Sequence, residues 1–326
     1  MAETTRVQPR LWRVYRRLDP GILTSDDPEA ELLLDRREGR SGLAFGVYTR
    51  AGLEKALRAY GTLERLEARG LGKIDVRLDL SDGFRPRICL VGRAYPDRPC
   101  IDVELRETSG VEVGFPPGLG RIPVLYLESL LLQHPGATFD WARPPLPEQE
   151  RPGLSLSQEV LQLLVLLAKR VGVEALVLRP STFHAASIYT GYFRFLDGRA
   201  QGRLESLRAD RALRPLWLLS WALELGCVRR QGERVGFAPD PMAAPLSHRV
   251  AGYFARPAWL RARRRGRGER HALDLPCLRA RFPWERMPAG DPPASLRARL
   301  VPPRGKRTHS GESESADIVT EDRRGM

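Results

Sequence analysis

The pattern of apolar and polar positions divides this chain into short strands in its first half and helices in its second. Residues 74–80, Ile-Asp-Val-Arg-Leu-Asp-Leu, and 101–105, Ile-Asp-Val-Glu-Leu, alternate strictly, which predicts strands with one face on a core and one toward water. Residues 87–91 lie between them and read as a third strand, with turn signals at Asp82-Gly83 and Tyr95-Pro96. Before them, residues 42–48 read as a strand, and 52–70 as a helix with Leu53, Ala56, Leu57, Tyr60, Leu63 and Leu66 on one face. Residues 11–15 and 30–34 are short apolar patches in an otherwise charged opening.

After them the periodicity disappears into continuous apolar runs. Residues 124–132 form one such run and end at His134-Pro135-Gly136, so a buried strand is expected. The second, beginning at Leu156, is apolar on nearly every side, which predicts a helix buried against the sheet and stopped at Gly172. Ser155 and Gln158 have the spacing of a capping box, placing the helix start there. Residues 175–178 are a short buried strand ended by Arg179-Pro180. Two further helices are expected over 198–211 and 215–225, the second carrying Trp217 and Trp221 in a packing role.

Between strand and helix lies a proline-rich stretch, 135–152, with Phe139 and Trp141; it reads either as a lid or as a surface loop pinned by its aromatics. It leads into Glu150-Arg-Pro-Gly153-Leu-Ser155, a bend feeding a helix. The first N–H groups of such a helix converge on one spot with the positive end of its dipole behind them, a place that favours phosphate.

This order of elements resembles the GNAT N-acetyltransferase superfamily, whose signature is a strand, a loop Q/R-x-x-G-x-G/A, a helix, a strand, and then an Asn, Ala, Tyr and Gly-Phe series. Glu150, Gly153 and Ser155 occupy the loop positions, and Gly153 keeps the signature letter. In the later series Ala185 and Tyr189 match, while Thr182 stands at the asparagine and Phe193-Arg194 at Gly-Phe. The resemblance covers roughly residues 120–196. It implies an α/β fold with a mixed, mainly antiparallel central sheet flanked by helices, here with a C-terminal extension. It also implies acyl transfer from acetyl-CoA or another acyl-CoA to an amine on a small molecule or protein. Backbone of Leu130 and Leu132 would hold the thioester carbonyl, and Arg151, Gly153, Leu154, Ser155 and Leu156 would hold the diphosphate. Pro152 removes one donor from that loop, and Glu150 sets a carboxylate beside it.

Two chemical roles follow from the resemblance. Glu128, the acidic residue of the 124–132 run, is a candidate to take the acceptor's proton, against the alternative of a solvent-facing or arginine-paired glutamate. Tyr189, with Tyr192 as its rival, is a candidate to protonate the departing thiolate. His184 is either a further acid or base, or a turn residue. An inactive binding or regulatory protein on the same fold is the alternative reading.

Composition changes this picture little. The 326 residues are 42% hydrophobic, enough for a sizeable core. Segments are expected at 1–40, a main domain at 41–235, a Pro/Arg-rich extension at 236–303 and a disordered tail at 304–326. Net charge is +13, but lysine occurs only at 55, 73, 169 and 306, so the charge reflects arginine-biased usage and nucleic acid is not an expected partner. The exception is the local run Arg261, Arg263, Arg264, Arg265 and Arg267, read as a solvated face. Cys89, Cys100, Cys227 and Cys277 form no C-x-x-C pair and are expected to be reduced; the five histidines show no metal spacing. With no signal-like opening and no run of membrane length, the chain is expected to be soluble and cytoplasmic.

Overall fold

The computed structural model describes residues 7–24 and 43–300. The patch at 30–34 and the tail at 304–326 lie outside these residues. Helices α1 (Pro9–Arg17), α2 (Pro20–Leu23), α3 (Arg50–Ala59) and α4 (Thr62–Leu66) precede strands β1 (Ile74–Asp79), β2 (Arg87–Gly92), β3 (Pro99–Ser109) and β4 (Pro123–Leu132). Then come α5 (Ser157–Val171), β5 (Ala175–Leu178), α6 (Phe183–Tyr189), β6 (Arg194–Phe195), α7 (Gly198–Ala209) and α8 (Leu216–Glu224). The remainder holds β7 (Val228–Arg230), β8 (Glu233–Val235), β9 (Met242–Pro245), α9 (His248–Phe254), α10 (Pro257–Arg267), β10 (Ala272–Leu273), α11 (Leu275–Arg281) and α12 (Ala294–Leu300).

Seven strands form the main sheet in the order β1-β2-β3-β4-β5-β9-β6, antiparallel except for the parallel pair β4 and β5; β10, β7 and β8 form a smaller sheet. The fold is therefore α/β with a mainly antiparallel sheet flanked by helices. Strand β5 explains its own unbroken apolar run, because Leu176 and Leu178 face the core under α3, α4 and α5, whereas Ala175 and Val177 face a second core with Phe254 and Trp259. Strand β1 instead buries Ile74 and Val76 and exposes Asp75 and Arg77, as its alternation predicts.

Four local expectations give way. Residues 43–48 are a turn closed by an Ala44–Tyr48 bridge, because Phe45 and Gly46 take left-handed φ of 55° and 66°; Gly42 lies outside the described residues. The helix expected over 52–70 breaks at Gly61, φ 72°, which lets α4 turn its apolar face independently of α3. Cys227 and Cys277 are joined in a disulfide, with Cα atoms 5.5 Å apart across a sequence separation of 50, rather than reduced. No local spacing signals such a pair, since the fold alone brings β7 and α11 together. Strand β9, from the stretch read as an extension, inserts between β5 and β6; only four residues long and bounded by prolines, it lacks a readable period.

The amino-terminal helix is fastened to α5 by polar contacts. Glu159, buried in the first turn of α5, accepts from Arg10 at 3.0 Å, from Thr62 Oγ1 at 3.2 Å and from Arg65. Gln162 Oε1 accepts the Gln8 N–H at 2.7 Å. These contacts anchor the helix whose start forms the floor of the site below.

The arginine run is helical. Arg263 donates to Glu205 at 2.9 Å, and Arg261, Arg264, Arg265 and Arg267 are exposed, so the solvated-face reading holds for this part of α10. Among the described residues no helix is long and apolar enough to cross a membrane, and no cluster of His, Cys, Asp or Glu could hold a metal ion.

Candidate functional site

Strands β4 and β5 pair only from Val124–Ala175 to Leu127–Leu178. Beyond that point β5 turns away at Arg179-Pro180 while β4 runs on to Leu132, still paired with β3. The two strands therefore splay, and the β5-facing edge of β4 has no strand partner there. A cleft of about 510 Å³ fills the opening. Its walls are Leu130, Leu131 and Leu132 of β4, the loop from Pro147 to Ser155, and Ser181 to Tyr189 around α6.

At its floor sits the start of α5. Leu156 is the N-cap residue, with φ −116° and ψ 5°, and no side chain accepts a bond from the helix's first N–H groups. The expected capping box does not form: Gln158 Nε2 instead donates to the Ile188 carbonyl at 3.0 Å, tying α5 to α6. The reason is backbone geometry. Ser155 is left-handed at φ 56°, which turns its side chain out to solvent, and the helix begins two residues later at Ser157. Gly153 is not where the loop needs glycine, since a β carbon there would meet only the Leu132 carbonyl at 3.6 Å. Ser155→Gly is accordingly expected to raise the unfolding free energy by about 0.5–1 kcal/mol in urea melts, by relieving a conformation disfavoured for any residue with a β carbon. An unchanged or lower midpoint would show that the serine is unstrained.

The proline-rich stretch is a wall of the cleft, not a cover. Trp221 Nε1 donates to the Pro145 carbonyl at 2.9 Å, Trp141 Nε1 to the Gly290 carbonyl at 3.3 Å, and Ser181 Oγ to Glu148 Oε2 at 2.8 Å. The loop's far end is joined to β4 through the His134 N–H on the Pro152 carbonyl, 2.8 Å.

Of the residues expected from sequence, the cleft brings together Leu130, Leu132, Arg151, Gly153, Leu154, Ser155 and Tyr189. Leu156 is packed into the core at 6% exposure, so its side chain contributes to the fold while its backbone begins α5. Glu128 is not in the cleft lining. It is the extra residue of a bulge in which Glu104 faces Ser129 and Leu105 faces Leu127, and its carboxylate accepts from Arg106 Nε at 2.7 Å. It keeps the face of Tyr126, as strand alternation predicts, for Arg106 also lies over the Tyr126 ring at 5.6 Å to its centroid, and the arginine pairing foreseen as the alternative is the one found.

Tyr189 is half-buried, and burial raises its pKa, so its hydroxyl stays protonated at neutral pH. Tyr192, the alternative, does not line the cleft. Thr182 caps α6 through the Ala185 N–H at 3.4 Å, and its Oγ1 lies 3.3 Å from His184 Nε2. His184 lines the cleft, is only 7% exposed, and its Nδ1 is shielded from solvent without a hydrogen-bond partner. Burial pulls its pKa down to about 4, with Glu148 opposing weakly, so it is a neutral imidazole at pH 7. A neutral polar ring with spare bonding capacity suits an orienting contact better than proton abstraction.

No family model matches the chain, and a search of curated proteins returns no match. The reading of this cleft therefore rests on its own geometry.

Proposed function

We propose that the cleft binds the diphosphate and thioester of an acyl-CoA, such as acetyl-CoA, and that the protein is an N-acyltransferase related to the GNAT superfamily. The observation that carries this reading is the splay of β4 from β5 directly above an uncapped helix start. Unpartnered β4 backbone is suited to hold a thioester carbonyl, and the Gly153–Ser155 turn and α5 start offer N–H groups and a positive dipole end to a diphosphate. Arg151, half-buried in the same wall, adds charge. A further support is that Ser155, at the motif position held by Gly or Ala in the family, is left-handed.

In the reaction, the acceptor's amine nitrogen attacks the thioester carbonyl, the C–N bond forms, the C–S bond breaks, and the nitrogen's proton passes to solvent water in the open cleft. Tyr189, which lines the cleft, would give a proton to the thiolate and regain one from solvent. Tyr189→Phe is expected to leave acyl-CoA affinity within about two-fold and to lower kcat by about ten-fold or more in an amine-acceptor screen. Undiminished turnover removes Tyr189 from the mechanism.

Binding is the first test. Acetyl-CoA at millimolar concentration is expected to raise the melting temperature by mass action. Exposed Glu150, at the loop position held by Gln or Arg in the family, opposes the diphosphate, so Glu150→Gln is expected to tighten binding by about three- to ten-fold. No melting shift in either form would sink the acyl-CoA reading.

One observation favours the second reading, a non-catalytic binding or regulatory protein. Glu128, the candidate base, is paired with Arg106 and does not line the cleft. Acyl-CoA binding without transfer to any amine would decide for it.

A further inference from the structure

Phe183 and His184 are consecutive residues of α6, yet they line different cavities. His184 belongs to the cleft, whereas Phe183 forms part of a separate, partly open cavity of about 190 Å³ between α6, α7, α8 and the segment after β8. Its walls are apolar: Phe195, Leu204, Leu207 and Phe237 are among them, and Phe183 meets Phe237 edge to face at 6.2 Å between ring centroids. Three polar residues interrupt this lining, Arg203, Arg230 and His271.

The three differ in their partners. Arg230 donates to Glu269 at 2.8 Å, a carboxylate that also accepts from Arg199 at 2.7 Å, so its guanidinium is engaged within the protein. His271 has its pKa lowered, chiefly by burial, which leaves the ring neutral at pH 7, and its Nδ1 is shielded from water without a partner. Arg203 differs from both. Among the described residues it has no hydrogen bond and no ion pair, although it is half-buried. Asp240 feels its charge through space but does not come within ion-pair distance, and burial raises the Asp240 pKa. A half-buried guanidinium with no hydrogen-bond partner at an apolar lining is costly to keep for packing alone, where a leucine or methionine would fill the space without desolvating a charge.

We propose that this cavity is a second binding site, which takes a small monocarboxylic acid with a compact apolar body, the carboxylate on Arg203 and the body among Phe195, Leu204, Leu207 and Phe237. Arg203 keeps its guanidinium donors unspent at this lining, and that fork suits a carboxylate better than a neutral hydroxyl. His271 adds a polar atom with unspent bonding capacity to the same lining. The volume admits a ligand on the order of ten non-hydrogen atoms. This site is independent of the acyl-CoA reading.

The test uses the full chain and two acids, 3-phenylpropionate and 4-methylpentanoate, with 3-phenylpropanol as the uncharged match, in calorimetric titrations at pH 7. At least one acid is expected to bind, with the alcohol about ten-fold weaker or more. Arg203→Met should abolish that preference, and Ala200→Phe, which fills the cavity from α7, should remove binding of acid and alcohol alike. The proposal fails if neither acid binds at about 10 mM, if acid and alcohol bind equally, or if Arg203→Met binds the acid as the parent does. Unaltered acid binding by Ala200→Phe would place the acid elsewhere and overturn it too. If Ala200→Phe does not fold, Arg203→Met on its half-exposed side chain decides alone.

Discussion

Replacing Gly202 by alanine is expected to lower the free energy of unfolding by about 3 kcal/mol. A β carbon at this position of α7 would lie 2.1 Å from the Arg263 carbonyl oxygen and 2.6 Å from the Arg267 nitrogen, both backbone atoms of α10. The reverse contact is as close, since a β carbon on Gly266 would lie 2.1 Å from the Arg199 carbonyl oxygen, and one on Gly198 would lie 2.4 Å from that of Trp259. The two helix backbones touch along a glycine seam, and no side-chain rotation can relieve an added methyl. They would have to separate by more than an ångström, loosening Trp259 in the second core and the Arg263–Glu205 pair at 2.9 Å. Gly252 in α9 is the control, because nothing lies within 4 Å of a β carbon there. Gly252→Ala should be neutral or stabilising by up to about 1 kcal/mol through helix propensity. Urea titrations of both variants measure this, and a loss below about 1 kcal/mol for Gly202→Ala would contradict the seam.

Acid should destabilise the protein through His184. Its folded pKa of about 4 lies below the ordinary 6.5, so across that interval the unfolded chain binds a proton that the folded chain refuses. Stability therefore falls as pH drops from 6.5 toward 4 and flattens below, where both states are protonated. The linked loss is on the order of 3 kcal/mol. Carboxylates also titrate in this range, so the informative quantity is the difference between the parent and His184→Gln. Comparing unfolding free energies at pH 7.5 and pH 4.5, the variant should lose less than the parent by roughly 2–3 kcal/mol. Equal losses would mean that the imidazole is solvated or charged in the folded state. A ligand acceptor group brought near the unpartnered Nδ1 should weaken the effect, which links this measurement to occupancy of the cleft.

Much of the candidate site was legible because its signals are local. The apolar stretch at 124–132, the loop at 150–155 and the buried helix after it are contiguous, and seven of the expected cleft residues do line one opening. What failed is also instructive. Strand parity correctly places Glu128 beside Tyr126, but that face carries Arg106, which takes the carboxylate, and not the cleft. The S-x-x-Q spacing of Ser155 and Gln158 satisfies a capping rule, yet the left-handed Ser155 moves the hydroxyl away and frees Gln158 for Ile188. His184 carries more of the cleft's chemistry than its sequence context suggests, because its burial comes from α6 packing and not from neighbours in the chain.

By itself the sequence determined the elements whose evidence lies within one window: the alternation of β1, the two-sided apolar run of β5 and the stop of α5 at Gly172, φ 85°. Residue periodicity and glycine's access to positive φ act over a few residues, so they survive without knowledge of the fold. Only the tertiary structure decided that β9 separates β5 from β6, that Cys227 meets Cys277, and that β4 parts from β5 above the α5 start. Those outcomes depend on backbone hydrogen bonds and close packing between segments tens of residues apart, where no local pattern specifies the partner.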